Sequence, residues 1–320
     1  MTTEEALKYL RDGAGAIGHV SFTGGEPFLR FERLRTVVAE ASNLGYIVSV
    51  MTSAYWAADD STTITKLREL QTRGLQFVGV SLDRFHLEFV SERNCIRVAE
   101  ACDTVGLNLA VRTIVERDDD YGEHVRKILS HTRAEVNVNY MVKLGRAKQF
   151  TQIAFNTSPR PPRERCETVT AADVVPGGDV FACCGPGLYM KRTNPLLLGN
   201  AQRESLYSIL ERGLQNPFMK VINTRGPIGL LEDLTANGLG GLVVIRPVYE
   251  DACQLCLDIC NNPEAVGALE TLYSVESVRR EHSALQFMKM FADSRHANDA
   301  RCGRGEVEPG RRPPEASSIG

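Results

Sequence analysis

Cys253-x-x-Cys256-x-x-x-Cys260, with Cys166 and the adjacent Cys183-Cys184 supplied from distant segments, has the form of a closed metal site. Thiolates two residues apart reach one tetrahedral ion or one face of a cubane cluster, and other loops complete the set. The spacing leaves zinc and iron-sulfur both open. Neighbouring side chains point in different directions, so one of Cys183 and Cys184 is expected to ligate. Cys95 and Cys102 share a helix face and read as buried apolar thiols, and Cys302 reads as a bystander.

A second constellation lies near the N-terminus. His19-Val20-Ser21-Phe22-Thr23-Gly24-Gly25-Glu26-Pro27-Phe28 reads as a buried strand running into two glycines, an acid and a proline. Gly24 and Gly25 let a ligand approach bare backbone, Glu26 supplies a fixed carboxylate, and Pro27 stiffens the exit. Such a segment grips a small charged ligand. The same residues also suit a tight strand-to-helix turn with a solvated glutamate, because short glycine motifs are weak signals.

The elements that must hold these groups follow a repeating pattern. Thr2 and Glu5 form a capping box for a first helix. Apolar periodicity then predicts strands over 19–23, 46–52, 75–82, 107–115 and 135–142, each followed by a helix, with glycine stops at Gly45, Gly74 and Gly106. Strands separated by helices imply parallel pairing through right-handed crossovers, half to three quarters of a β/α barrel. Ligands sit at the carboxyl ends of such strands. Polar residues fall there in each unit: Gly24, Gly25 and Glu26; Thr52 and Ser53; Ser81 and Asp83; Arg112 and Thr113; Lys143, Gly145 and Arg146. Arg112 lies inside an apolar strand, where a bystander charge is costly, and this favours a shared cleft over mere strand termination. Asp83 and His86 stand beside the cleft mouth, as substrate contacts or as a solvated loop.

Beyond residue 150 the repeat breaks. The fold class expected is α/β: a partial barrel over 1–150, a linker rich in proline and arginine over 151–165, a smaller cysteine-rich α+β domain over 166–294, and a disordered tail over 295–320. Within the second domain, a turn at Pro176-Gly177-Gly178-Asp179 and helices near 206–214 and 263–292 are expected. With 43% hydrophobic and 24% charged residues and a net charge of -3, the composition gives no reason to expect nucleic acid or an anionic membrane surface as partner. No apolar run approaches the ~20 residues that span a bilayer, and no signal-peptide pattern is present, so a cytoplasmic location is expected. Nine cysteines in a reducing compartment point to metal or redox chemistry rather than disulfides.

Together these features resemble the radical S-adenosylmethionine enzymes that carry a C-terminal SPASM or twitch domain. The resemblance rests on Gly24-Gly25-Glu26-Pro27, Ser81-Leu82-Asp83, Arg112 inside a strand, Leu144-Gly145-Arg146-Ala147, and the ordered set Gly178-x4-Cys183, Gly199-Asn200 with Ser205-Leu206, and Cys253-x-x-Cys256. It covers about residues 1 to 262 and implies a (β/α)6 barrel lacking its first strand. By that resemblance Gly24, Gly25 and Glu26 bind the amino group of S-adenosylmethionine, with Pro27 closing the motif. Ser53 and Ser81 lie near the ribose with Asp83 beside them, and Arg112 pairs with the carboxylate. Cys166, Cys183, Cys184, Cys253, Cys256 and Cys260 supply the ligands of one auxiliary 4Fe-4S cluster. An electron donor and a peptide or small-molecule substrate are the implied partners, and hydrogen abstraction by a 5'-deoxyadenosyl radical is the implied chemistry.

One departure is large. The family holds its reducing cluster on a Cys-x3-Cys-x2-Cys loop upstream of the glycine motif, and no cysteine precedes Gly24. An N-terminally truncated copy of the enzyme is the expectation. A degenerate barrel that binds S-adenosylmethionine or a peptide without turning it over, and a zinc-folded protein, are the alternatives.

Overall fold

The computed structural model of the protein describes residues 1–143, 147, 149–150, 154–185, 187 and 194–274. Leu144, Gly145, Arg146, Cys302, the tail from 295 and the last helix past residue 274 lie outside the described residues. Two compact units divide the chain, Met1–Leu269 and Glu270–Gly320.

The chain opens with α1 (Thr3–Asp12), whose capping box pairs Thr2 and Glu5 reciprocally. Then β1 (His19–Phe22), α2 (Phe31–Asn43), β2 (Ile47–Thr52), α3 (Asp60–Thr72), β3 (Leu75–Ser81), α4 (Glu92–Val105), β4 (Asn108–Val115), α5 (Tyr121–Ile128) and β5 (Glu135–Tyr140) alternate. The five strands form one parallel sheet whose spatial order, β1-β2-β3-β4-β5, is the sequence order. Side chains alternate between the two faces of a strand. Val48, Val50, Val78, Val80, Leu109 and Val111 point one way and are buried with Val38, Ala41, Leu67, Leu70, Val98 and Ala99 of the helices. Each such aliphatic side chain contributes about 1.5–3 kcal/mol by leaving water.

The other face is covered by no described element over much of its area. Ile47, Phe77 and Ile114 are exposed, as are Ser21, Asn108, Arg112, Asn137 and Asn139. Parallel sheets are ordinarily covered on both faces. This corrects the expectation for Arg112: its neighbours Val111 and Thr113 are buried, but the alternation turns the guanidinium to the open face, so burial cost is no argument for its function.

The second half forms an antiparallel sheet of β6 (Asp173–Val174), β7 (Asp179–Phe181) and β8 (Leu197–Asn200), followed by α6 (Leu206–Gln215), α7 (Pro217–Arg225), α8 (Pro227–Ala236), α9 (Ala252–Cys260) and α10 (Pro263–Tyr273). The turn between β6 and β7 uses left-handed Gly177 and Gly178, as the Pro-Gly-Gly-Asp sequence predicts. Across the segment expected as a linker, Ser158 pairs with Tyr249 by two backbone hydrogen bonds of 2.7 and 2.8 Å. The first helix joins this half: Tyr9 is buried with Val180, Ala201, Leu206 and Ile209. Asp12 accepts from Ser205 Oγ at 3.0 Å and from the Leu206 amide at 2.5 Å, capping α6, and Lys8 Nζ donates to the Ala201 carbonyl at 3.0 Å. Among the described residues no helix is long and apolar enough to cross a membrane.

Candidate functional site

The ends of β2 and β3 meet the middle of β4 and β5 at one level of the open face. Thr52 is paired with Val80, so Ser53 and Ser81 are the next residues along; Ser81 is paired with Arg112, and Arg112 with Asn137. The register therefore sets Ser53, Ser81, Arg112 and Asn137 in a cross-strand row that lies at the carboxyl ends of β2 and β3 and three residues before those of β4 and β5. Just below it Met51 lies across Gly79, where a Cβ would come within 2.6 Å of the methionine methyl carbon. Among the described residues the Arg112 side chain makes no hydrogen bond or ion pair, so its donors are free for a ligand.

Glu26 closes the opposite end of the row. Gly24 (φ 83) and Gly25 (φ 59) are left-handed and exposed, a turn few side chains would tolerate. They deliver Glu26 onto the end of β2, where Oε1 accepts from Thr52 Oγ1 at 2.7 Å and from the Phe28 amide at 3.2 Å. Its Oε2 accepts from the Ser53 amide at 2.8 Å and Ser53 Oγ at 2.6 Å. Pro27 begins a short 3-10 helix, Pro27–Arg30, whose Phe28 is buried and stacks on Trp56 at 3.9 Å between ring centroids.

On the loop after β3, Asp83 is buried, and its Oδ1 accepts from the amides of Phe85 and His86 at 3.0 and 3.1 Å. The same oxygen lies 2.9 Å from His86 Nδ1. Arg84 turns away onto Asp119 and so ties this loop to the one after β4. The hydrogen bond to Asp83 raises the His86 pKa above the ordinary imidazole value, against the opposing effect of burial. A raised folded-state pKa contributes stability in full below the unfolded value and loses it as pH rises through the folded value. The wild type is therefore expected to lose more denaturant resistance than His86→Gln between about pH 6 and pH 8. Parallel urea midpoints for the two proteins across that range would refute the pairing.

The six candidate cysteine ligands fall into neighbouring groups. Cys253, Cys256 and Cys260 lie on α9, with Cys256 and Cys260 Sγ atoms 3.9 Å apart. Cys183 follows β7 and accepts from the Gly187 amide at 3.0 Å, while Cys184 is exposed, so the adjacent pair does diverge. Burial pushes the Cys183 thiol up to about 11, with the charges of Cys256 and Cys184 adding to it. Burial likewise raises Cys253, and the charges of Asp251, Cys256 and Cys183 add to that shift; Cys256 is raised first by its bond with Cys260. Cys183 thus feels the charge of Cys256, and Cys253 that of both. Cys166 lies 3.2 Å from Thr168 Oγ1, and Cys184 donates to the same oxygen at 3.5 Å. The Cys166 amide donates to the Ile222 carbonyl and its carbonyl accepts from Asn223, which pins the residue to α7. Among the described residues no three His, Cys, Asp or Glu side chains converge as a ready metal-binding group. The donor set suits a soft metal by its chemistry, with thiols gathered in pairs. Cys95 and Cys102 are core thiols pushed by burial to about 12 and suit no such role.

Trp56 and Asn137 escaped the sequence reading as site residues, and Thr52 stands there as a strand-end polar residue without its part in a hydrogen-bond network. The signals were a threonine ending β2, the sole tryptophan four residues later, and Asn137 alternating with Asn139 on a strand.

The class these features define is an α/β chain with a parallel βα-repeat sheet, a polar row across its open face and a cysteine-bearing helical region. No family model matches it. It is 19% identical over 258 residues, 78% of each chain, to "Putative peptide biosynthesis protein YydG" of Bacillus subtilis (strain 168).

Proposed function

We propose that the chain belongs to a radical S-adenosylmethionine enzyme of the SPASM or twitch type that modifies a peptide. The observation carrying this reading is the polarity of the row. At one end the Ser53 hydroxyl offers acceptor lone pairs next to the Glu26 charge, beside the bare backbone of Gly24 and Gly25, and at the other Arg112 offers a free guanidinium fork with Asn137 next to it. A ligand with an ammonium and a carboxylate matches both ends, and charge-assisted bonds hold each. Ser81 lies between them, with Asp83 fixing the loop behind it. The peptide substrate rests on the distant likeness to a peptide biosynthesis protein.

S-adenosylmethionine, when bound and reduced, supplies hydrogen abstraction by a 5'-deoxyadenosyl radical. The residues of this chain bind and orient it. Cys166, Cys183, Cys184, Cys253, Cys256 and Cys260 are the candidate ligands of one auxiliary 4Fe-4S cluster, and an outside electron donor would feed the system.

Calorimetry with S-adenosylmethionine tests the cleft directly. Arg112→Leu is expected to weaken binding about tenfold, the effect of one charge-assisted pair in a partly open site. An affinity unchanged in that variant would remove Arg112 from the site.

The alternative is a chain that binds S-adenosylmethionine or a peptide without turnover. Reading the gene in frame upstream of Met1 separates the two. A Cys-x3-Cys-x2-Cys triplet within about 30 residues, one βα step, supports the enzyme. Its absence, or a full reading frame that yields no 5'-deoxyadenosine under anaerobic reduction, supports the binding protein.

A further inference from the structure

Thr52 is 3% exposed, and its hydroxyl has one proton and two lone pairs. Trp56 Nε1 can only donate and does so to Thr52 Oγ1 at 2.9 Å; the Ala54 amide can only donate and does so at 3.1 Å. Both lone pairs are thus spent, and the single proton must go to Glu26 Oε1 at 2.7 Å. Glu26 then accepts four bonds, two on each oxygen, which fills a carboxylate. The Ser53 hydroxyl proton is in turn committed to Glu26 Oε2, so toward the cleft Ser53 presents lone pairs alone. The bonds from the indole side and from Ser53 therefore converge on the Glu26 carboxylate.

The chain holds a strained backbone at this point. Ala54 is the one described residue other than glycine with positive φ, at 62°, and it is buried. Left-handed alanine is strained by its Cβ, and the Thr52 hydroxyl is the partner of its amide. The stack of Phe28 on Trp56 holds the indole from the other side.

We propose that Thr52 is a positioning residue that fixes the orientation of the Glu26 carboxylate and, through it, of the Ser53 hydroxyl, so that the Ser53 lone pairs and the Glu26 charge face a ligand ammonium group. The choice of S-adenosylmethionine as ligand rests on the functional reading above; the direction of the bonds does not. Removal of the hydroxyl frees a lone pair on Glu26, strands the buried indole N–H and lets the carboxylate swing.

The test compares the wild type, Thr52→Ser and Thr52→Val by calorimetry with two probes, S-adenosylmethionine and methylthioadenosine, which shares the nucleoside but lacks the amino acid. Thr52→Ser is expected to bind both as the wild type does. Thr52→Val is expected to lose S-adenosylmethionine affinity at least about tenfold with methylthioadenosine unchanged. Equal loss of both probes would mean a merely structural role and overturns the proposal. Hydrogen exchange of the one indole N–H, followed by NMR, needs no ligand. Slow exchange in the wild type and in Thr52→Ser supports the network, and fast exchange in either overturns it, whether or not Thr52→Val folds. A wild type that binds neither probe defeats the functional reading, and the exchange result then decides the role of Thr52 alone.

Discussion

Gly226→Ala is expected to lower the melting temperature by about 5–10 °C, the shift that follows from roughly 3 kcal/mol in a chain of this size. Two causes act together. Gly226 joins α7 to α8 at φ 78 and ψ 176, a region essentially restricted to glycine, where a side chain costs about 1–3 kcal/mol. Its Cβ would also lie 2.2 Å from the Glu164 carbonyl oxygen and 3.0 Å from its carbonyl carbon, and backbone cannot rotate aside as a side chain can. Relief of that clash must displace the segment leading to Cys166, which is pinned to Ile222 and Asn223 on the same helix. The variant should therefore also take up metal poorly. Gly106→Ala is the control: φ is 80, but nothing lies within 4 Å of its Cβ, so only about 1 kcal/mol is at stake. A Gly226→Ala protein melting within about 2 °C of the wild type would show that the close approach to Glu164 is not a constraint.

The second large effect is expected at α9. Anaerobic reconstitution of the wild type with iron and sulfide should load on the order of four irons, the content of one cubane cluster. The double variant Cys253→Ser with Cys256→Ser should load essentially none. These two thiols sit one turn apart on a single helix, and Cys253 feels the charge of Cys183, so both are fixed by the helix rather than by a loop. Cys95→Ser should keep the full load, because that thiol lies in the barrel-like core. Iron retained by the double variant would move the site elsewhere, and zinc without sulfide in the wild type would replace the cluster with a structural ion.

Much of the fold was legible because local chemistry and global packing agree. The capping box at Thr2, the left-handed stop at Gly106 and the valines of β2 to β4 each state their role within a few residues. Strand ends carrying Ser53, Ser81 and Arg112 pointed to one edge, and the register aligned them. Arg112 shows the boundary of such reading. Its apolar neighbours told which face of β4 is covered, but nothing local tells whether the opposite face is covered as well. The cysteines show it again: spacing places Cys253, Cys256 and Cys260 on one helix, whereas the approach of Cys183 and the link between Cys166, Thr168 and Cys184 depend on how remote segments fold back. The Thr52 network was hidden for another reason, since the direction of a hydroxyl bond is decided by the donors around it and not by the residue's own identity.

The fastening of α1 onto α6 spans 194 residues between Asp12 and Leu206. During ribosomal synthesis α1 finds its capping partner, and the apolar seat for Tyr9, only after those 194 further residues have emerged. The five neighbouring strands meet no such delay, because each follows directly on its partner. Closure of that long loop makes this helix a latecomer to the native state, and until then its apolar stripe is a natural landing place for chaperones.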